Sequence, residues 1–302
     1  MAKTEKTMMM LVNPSAGRST TDALLGSAVG TFCSAGYTPT IYYTTGPGDA
    51  MEMAGRLGAR YPRLVCLGGD GTLSDVVAGL MTLPPEQRPN LGYIPMGTAN
   101  DVANTLGLPM RQPGKAAEKI LSGRPLDYDV GEIEGVGFFT YIAAFGAFTE
   151  VSYKTDQELK KALGHLAYVI EAVSSLPTIK SYHAQVEYDG GTLEGNFIYG
   201  AVSNAISVGG VMKMDPSLVD LSDGKFEILL VQEPNGAAEI NSIVTGILAK
   251  DYDSSPCLRV LQSTKVCFTF EDRVPWTRDG EDGGNHLTLE LRCHRHGVRI
   301  FC

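Results

Sequence analysis

No apolar run in this chain is long enough to cross a bilayer. Runs such as Met8-Met9-Met10-Leu11-Val12 and Ile228-Leu229-Leu230-Val231 fall well short of the about 20 residues that a helical span needs. Lys3, Glu5 and Lys6 lead straight into the first of them, which is too short for the hydrophobic region of a secretory signal. A cytoplasmic protein, in peripheral and transient contact with a membrane at most, is the expectation. Positive charge is scarce as well: 25 Lys and Arg against 34 Asp and Glu leave a net charge of −9. That balance argues against nucleic acid as the main partner and against tight electrostatic anchoring to a membrane. Six cysteines (Cys33, Cys66, Cys257, Cys267, Cys293, Cys302) include no CxxC pair, so a zinc site or a disulfide framework has little support and reduced, mostly buried thiols are expected. Cys293-His294-Arg295-His296 holds metal-binding residue types, but in a strand both histidines would face away from Cys293. Internal repeats and low-complexity linkers are absent.

What is there divides into two halves of different pattern. From Met8 to about Gly123 short apolar runs alternate with amphipathic stretches: Met8–Val12 and a helical run to Ser34, Thr40–Tyr43 and Ala50–Leu57, Leu64–Leu67 and Leu73–Met81. Leu91–Pro95 then precedes Asp101–Leu106 and Ala116–Leu121. Such alternation predicts βα units around a parallel sheet. From about Tyr128 the runs become β-rich: Phe138–Phe145, His183–Tyr188, Thr192–Val202, Phe226–Val231 and Lys265–Phe270, with Asp189-Gly190-Gly191 supplying a hairpin turn. Two helices interrupt them. One opens on a capping box at Thr155 and Glu158 and carries Leu159, Leu163, Leu166, Ile170 and Val173; the other covers Ala237–Ala249, with Ile240, Ile243, Val244 and Ile247 on one face. Both stripes read as core. With 302 residues, two domains are expected: residues 1–126 as an α/β domain and 127–302 as a mostly antiparallel β domain, with the last strand returning to pack on the first domain.

The chemistry-bearing residues lie where three predicted strands of the first half end. Asn13-Pro14-Ser15-Ala16-Gly17 follows the first, Gly68-Gly69-Asp70-Gly71-Thr72 the third, and Gly97-Thr98-Ala99-Asn100-Asp101 the fourth. In an open α/β sheet these ends share one edge, where ligands bind. Glycines allow positive φ and let a phosphate approach backbone amides, while a following helix offers unpaired N–H groups; Ser15, Thr72 and Thr98 add hydroxyls. A polyphosphate suits such loops. A Walker A lysine motif and a GxGxxG fingerprint are both absent, which removes the main support for a P-loop NTPase or a dinucleotide dehydrogenase. Asp70 and Asp101 would repel phosphate without a cation between them, and Mg²⁺ suits hard carboxylate oxygens.

These residues resemble the diacylglycerol kinase catalytic-domain family, particularly its soluble bacterial lipid kinases. The resemblance rests on Asn13–Gly17, Gly68–Thr72 and Gly97–Ala103. It continues through Asp129-Val130-Gly131, Gly164-His165-Leu166-Ala167-Tyr168, Asp215-Pro216 with Asp223-Gly224, and Asp279-Gly280-Glu281. It implies an NAD-kinase-like, Rossmann-like α/β domain, a β-sandwich domain, and an ATP-dependent kinase working between them. ATP would meet Asn13, Ser15, Gly17, Gly68, Gly69, Gly71, Thr72, Gly97, Thr98 and Asn100. Asp70, Asp101 and Asp129 would hold the catalytic Mg²⁺, partly through water, and Glu281 would be the general base, with Asp70 the alternative. A separate structural Mg²⁺ would use the Asp223 side chain and the main-chain carbonyls of Asp220 and Lys225. One departure stands out: Ser74-Asp75 replaces the family's usual Asn-Glu.

Phosphoryl transfer asks mainly for positioning and charge neutralisation, and Arg18 beside the first loop is a candidate phosphate partner. The expected activity is transfer of the γ-phosphoryl group of ATP to a hydroxyl of diacylglycerol or a related lipid, with a sphingoid base, phosphatidylglycerol or a polyprenol as other acceptors. An NAD kinase, which shares Gly68–Thr72, and a non-catalytic nucleotide sensor are the competing readings. A homodimer is the assembly left open.

Overall fold

The computed structural model describes residues 6–16, 21–147, 180–205, 207–208, 212–213 and 219–302. They divide into two compact units. The first takes the chain up to Val130 with Phe138–Thr140 and His294–Cys302; the second takes Gly131–Gly137 and Tyr141–Cys293.

In the first unit the predicted alternation is what forms: β1 (Lys6–Val12), α1 (Thr21–Ser34), β2 (Tyr37–Tyr43), α2 (Asp49–Leu57), β3 (Arg63–Gly68), α3 (Asp70–Met81), β4 (Asn90–Pro95), α4 (Asp101–Thr105) and α5 (Pro113–Ser122). The strands pair in parallel in the order β4-β3-β1-β2. Strand parity sorts their side chains between two faces. Met8, Met10, Val12, Val65, Leu67 and Ile94 bury against Leu25, Ala28 and Phe32 of α1 and Ala116, Ala117 and Ile120 of α5. Asp75 of α3 acts electrostatically on Cys66, which points the other way, so α3 covers the opposite face; burial and that carboxylate push the Cys66 thiol strongly up. The thiol is correspondingly inert. α3 meets α2 without a side chain between them, because a Cβ on Gly79 would lie 2.2 Å from the Met51 carbonyl oxygen.

The chain leaves this unit through β5 (Pro125–Ile133) and continues as β6 (Gly137–Phe139), β7 (Ile142–Gly146), β8 (Tyr182–Tyr188), β9 (Gly191–Ser203), the short β10 (Ser207–Val208) and β11 (Met212–Lys213), and β12 (Phe226–Gln232). After α6 (Ala237–Ala249) come β13 (Leu258–Ser263), β14 (Lys265–Arg278) and β15 (Glu281–Phe301). The last part of β15 returns to the first unit and runs parallel to β4 at Ile300 and Leu91. In the second unit β7, β9, β8 and β14 pair in an antiparallel ring, with β12 and β13 added beyond β9. Phe145 sits among Phe268, Phe270 and Trp276 with ring centroids 5.7, 5.1 and 4.9 Å away. The residue opposite it on β9 is Gly200, where a Cβ would lie 2.1 Å from the Phe145 ring. The Asp189–Gly190 hairpin forms as expected, with Tyr188 paired to Gly191. On α6, Ile243 is buried and Ile240, Val244 and Ile247 are half-buried. The helix expected from Thr155 lies outside the described residues.

One expectation needs correction. Phe138–Phe145 is not one strand: it breaks at Thr140 and Tyr141, where the Asp279 carboxylate accepts the amides of Tyr141 and Ile142, at 3.0 and 3.1 Å, and β7 starts only at Ile142. Farther along the chain, Asp279-Gly280-Glu281 makes a tight hairpin. Only Asp279 and Gly280 turn; Glu281 already pairs with Arg278.

Two glycines on helices should respond oppositely to alanine. Gly79→Ala drives a methyl into a backbone carbonyl and should cost about 2–3 kcal/mol. Gly26→Ala, in α1 with nothing within 4 Å of the new Cβ, should gain about 0.5–1 kcal/mol from helix propensity. Thermal melts of both variants check this, and a stabilised Gly79→Ala would mean that α2 and α3 do not meet there.

Candidate active site

The three glycine-containing loops come together in the first unit, joined by their own polar groups. Asn13 is fixed by its amide on the Leu67 carbonyl (2.9 Å), and its side-chain Nδ2 donates to Thr72 Oγ1 at 2.9 Å, tying the first loop to the second. Asn13 Oδ1 accepts the Ser15 amide at 2.9 Å, closing the first loop on itself. The second and third loops are tied twice, through the Met96 amide on the Gly68 carbonyl (2.7 Å) and the Asp101 amide on Asp70 Oδ2 (3.1 Å). Gly17 and Arg18 lie outside the described residues, as do Gly164–Tyr168 and Asp215.

The loop glycines are there for space rather than for unusual backbone angles. None of Gly68, Gly69, Gly71 and Gly97 has positive φ, and Gly69 is ordinary extended backbone (φ −93°, ψ −174°). A Cβ on Gly68 would instead meet Thr72 at 2.6 Å, and one on Gly97 would lie 2.8 Å from the Gly69 Cα and 2.7 Å from Asn100 Oδ1. The left-handed residue of the third loop is Asn100 (φ 52°, ψ 54°), which is buried. Its Oδ1 accepts the Gly97 amide at 3.0 Å and the Tyr93 hydroxyl at 3.2 Å, and its Nδ2 donates to the Gly97 carbonyl at 2.9 Å. Asparagine suits the position because its short amide bonds the local backbone while tolerating this conformation. Thr98 is exposed and Thr72 is buried, so of the two hydroxyls Thr72 serves the loop framework and Thr98 faces solvent.

The carboxylates differ in their surroundings. Asp70 stands at the first position of α3, half-buried; Asp101 is 1% exposed and Asp129 fully buried. Asp129 Oδ1 accepts the amide of His296 at 2.6 Å, where β15 takes a left-handed kink (φ 55°). That kink also breaks the regular alternation expected around Cys293. No three His, Cys, Asp or Glu residues form a ready-made metal cluster among the described residues. The Asp70 and Asp101 donor set still fits Mg²⁺, an ion that keeps several waters and takes one or two carboxylates with substrate phosphates.

In the second unit Glu281 follows a two-residue turn in which Asp279 (φ 49°) and Gly280 (φ 81°) both have positive φ, the type I′ geometry that Asp-Gly favours. Asp279 is 6% exposed; besides accepting two amides it donates its own N–H to the Ile142 carbonyl at 2.9 Å. It therefore holds the hairpin, while Glu281 is exposed and its side chain carries no hydrogen bond or ion pair among the described residues. The Asp-Gly dipeptide announced the turn, but nothing local announced that its carboxylate would be buried on β7. Farther along the chain, Asp223 Oδ1 accepts the Lys225 amide at 2.8 Å and Asp220 Oδ1 the Ser222 amide at 3.0 Å. Gly224 between them has φ 83°. The Asp223 carboxylate is thus held at its own turn, a preformed oxygen donor.

Residues 7–133 match the diacylglycerol kinase catalytic domain, and residues 142–302 match the YegS C-terminal NAD kinase beta sandwich-like domain. The chain belongs to the diacylglycerol kinase family. A diacylglycerol kinase of Bacillus subtilis (strain 168) is 32% identical over 292 residues, covering 96% of this chain and 95% of its own length. One from Staphylococcus epidermidis is 33% identical over 297 residues, covering 98% and 92%. Among solved structures, a candidate diacylglycerol kinase from Bacillus anthracis str. Sterne superposes with a TM-score of 0.82 at 26% identity, over 99% of this chain and 96% of that one. Family membership thus covers both units, including the loop edge and the Glu281 hairpin.

The packing of Gly97 on Gly69 gives a direct test of the loop edge. Gly97→Ala should wedge the two loops apart and weaken ATP binding by about tenfold or more, the scale of one or two hydrogen bonds to a charged group. Calorimetric titration with Mg²⁺ and ATP measures it; unchanged affinity in a folded variant would move the nucleotide elsewhere.

Proposed function

We propose that this chain is an ATP-dependent lipid kinase that transfers the γ-phosphoryl group of ATP to a hydroxyl of diacylglycerol or a related lipid. The observation that carries this reading is the convergence of the three loops at the β1, β3 and β4 ends, in a chain whose family is that of the diacylglycerol kinases. The nucleotide would lie against Asn13, Ser15, Gly68, Gly69, Gly71, Thr72, Gly97, Thr98 and Asn100 of these loops, with the N-terminus of α3 turned to its phosphates. Mg²⁺ held by Asp70, Asp101 and Asp129, partly through water, would draw charge from the phosphoryl oxygens. Glu281 takes the proton from the lipid hydroxyl as its oxygen bonds the γ-phosphorus, and the bond from that phosphorus to the ADP oxygen breaks. Diacylglycerol leaves as its phosphate monoester. A lipid acceptor brings the protein to a bilayer surface; among the described residues no helix is long and apolar enough to cross one. We read the contact as peripheral and the location as cytoplasmic.

The reading is checked by supplying labelled ATP, Mg²⁺ and micelles containing diacylglycerol: the label should enter the lipid. Label in NAD, offered in a parallel reaction, would favour the NAD kinase reading, and ATP binding without turnover on any lipid would favour a sensor.

Glu281→Gln should bind ATP and lipid with little change in their Michaelis constants but turn over about 10²–10⁴ times more slowly, the usual contribution of a positioned general base. Asp70→Asn should lose Mg²⁺-ATP affinity as well as rate. Near-normal turnover in Glu281→Gln, beside an Asp70→Asn enzyme that binds Mg²⁺-ATP but is inactive, would transfer the base role to Asp70.

The Asp220–Lys225 turn is assigned a structural Mg²⁺. Asp223→Ala should lower the melting temperature and reduce activity only in proportion to folded protein, leaving ATP affinity of the folded fraction unchanged. A fully stable Asp223→Ala protein without turnover would place this residue in the chemistry instead.

A further inference from the structure

Five non-glycine residues have positive φ among the described residues: Asn100, Arg111, Lys250, Asp279 and His296. Lys250 caps α6. Asn100 holds the third loop, Asp279 the hairpin that carries Glu281, and the His296 amide the Asp129 carboxylate. Strained backbone persists where surrounding structure over-determines it, and such positions gather at functional sites. Arg111 is the one of the five whose role the family reading leaves unexplained.

Its position is fixed from the same loop. The Arg111 amide donates to the carbonyl of Pro95, the last residue of β4, at 3.1 Å. Its Nη2 reaches the Gly97 carbonyl at 3.5 Å, a long contact at an exposed side chain. The Gly97 carbonyl is already served by Asn100 Nδ2 at 2.9 Å, so the guanidinium is not needed to satisfy it. Arg111 forms no ion pair among the described residues. A guanidinium, always charged, is thus kept beside the third phosphate loop by backbone it adopts at a conformational cost, with its five donors almost unused.

The electrostatics give that charge a purpose. The loop edge presents Asp70 and Asp101, the chain is −9 overall, and the loops contain no lysine of the Walker kind. A polyphosphate entering here meets negative charge, and a divalent ion offsets only part of it. A planar guanidinium fork matches two phosphate oxygens at once, which a lysine ammonium does not.

We propose that Arg111 is a binding residue for the polyphosphate tail of the nucleotide, leaving the Gly97 carbonyl to grip phosphate oxygens when the nucleotide is bound. The inference rests on the loops being the nucleotide site. It distinguishes the phosphate tail from the nucleoside, so it is tested by titrating ATP, ADP and adenosine, each with Mg²⁺, into the full-length protein and its variants. Arg111→Ala should weaken ATP and ADP binding by about 10- to 100-fold, the range for hydrogen bonds to charged groups, and leave adenosine binding within about threefold. Its ATP affinity should also depend less on salt, since one ionic contact is gone. Arg111→Lys should recover part of the loss. Arg111→Gly relieves the left-handed backbone, so it should melt higher than Arg111→Ala while binding ATP no better. ATP affinity retained in Arg111→Ala, or restored in Arg111→Gly, overturns the proposal, because then only the loop conformation matters. If the wild-type protein binds adenosine and ATP equally, or neither, the nucleotide site itself is misplaced and the proposal falls with it.

Discussion

Gly69 and Gly97 pass each other at a distance that admits no side chain on Gly97, and the loop edge of the first unit is organised around that approach. Because two backbones meet there, the ends of β3 and β4 can share ties that longer side chains would have prevented: the Met96 amide on the Gly68 carbonyl and the Asp101 amide on the Asp70 carboxylate. The same closeness brings amides from two loops to one place, which is the property a phosphate site needs. Asn13 then ties the first loop to Thr72. Had all of these links run through flexible side chains alone, the cradle would have to be ordered again each time a ligand bound, at an entropic cost.

Carboxylates act on this protein in three ways that their residue type does not distinguish. Asp279 and Asp129 accept backbone amides, and are used to hold strands where the ladder breaks. Glu281 is left exposed beside the first, at the end of a turn too short to move independently of the strands it joins. Glu227, on β12, is a third case: it is 1% exposed, bonded through Oε1 to Gln262 at 3.3 Å, and burial pushes its carboxyl up to about 8. A charged form there lacks the hydration it would have in water. The sequence placed Glu227 inside an apolar run, and only the pairing of β12 between β9 and β13 puts it out of reach of solvent.

The elements themselves were legible. Periodicity located β1 to β4 and the helices between them, Asp189-Gly190 located a hairpin, and the spacing of Ile240, Ile243, Val244 and Ile247 located α6. These signals are local, since a period of 2 or 3.6 residues and a turn dipeptide are written in neighbouring positions. The loops could be recognised as phosphate-binding for a similar reason: glycine content and strand ends are both visible along the chain. Reading positive φ into those glycines went wrong because glycine serves close approach as readily as unusual torsion, and sequence does not say which.

Sequence by itself determined the succession of strands and helices, the place of the three loops on one sheet edge, and the family to which the chain belongs. Tertiary structure alone decided which side chains became structural and which were left available. Tyr141 and Ile142 gave their amides to a carboxylate 138 and 137 residues away, Asp129 was engaged by His296 from 167 residues away, and Arg111 was set beside Gly97 by the end of β4. Such partners are chosen by the path of the backbone through space, and a local pattern carries no information about groups so distant along the chain.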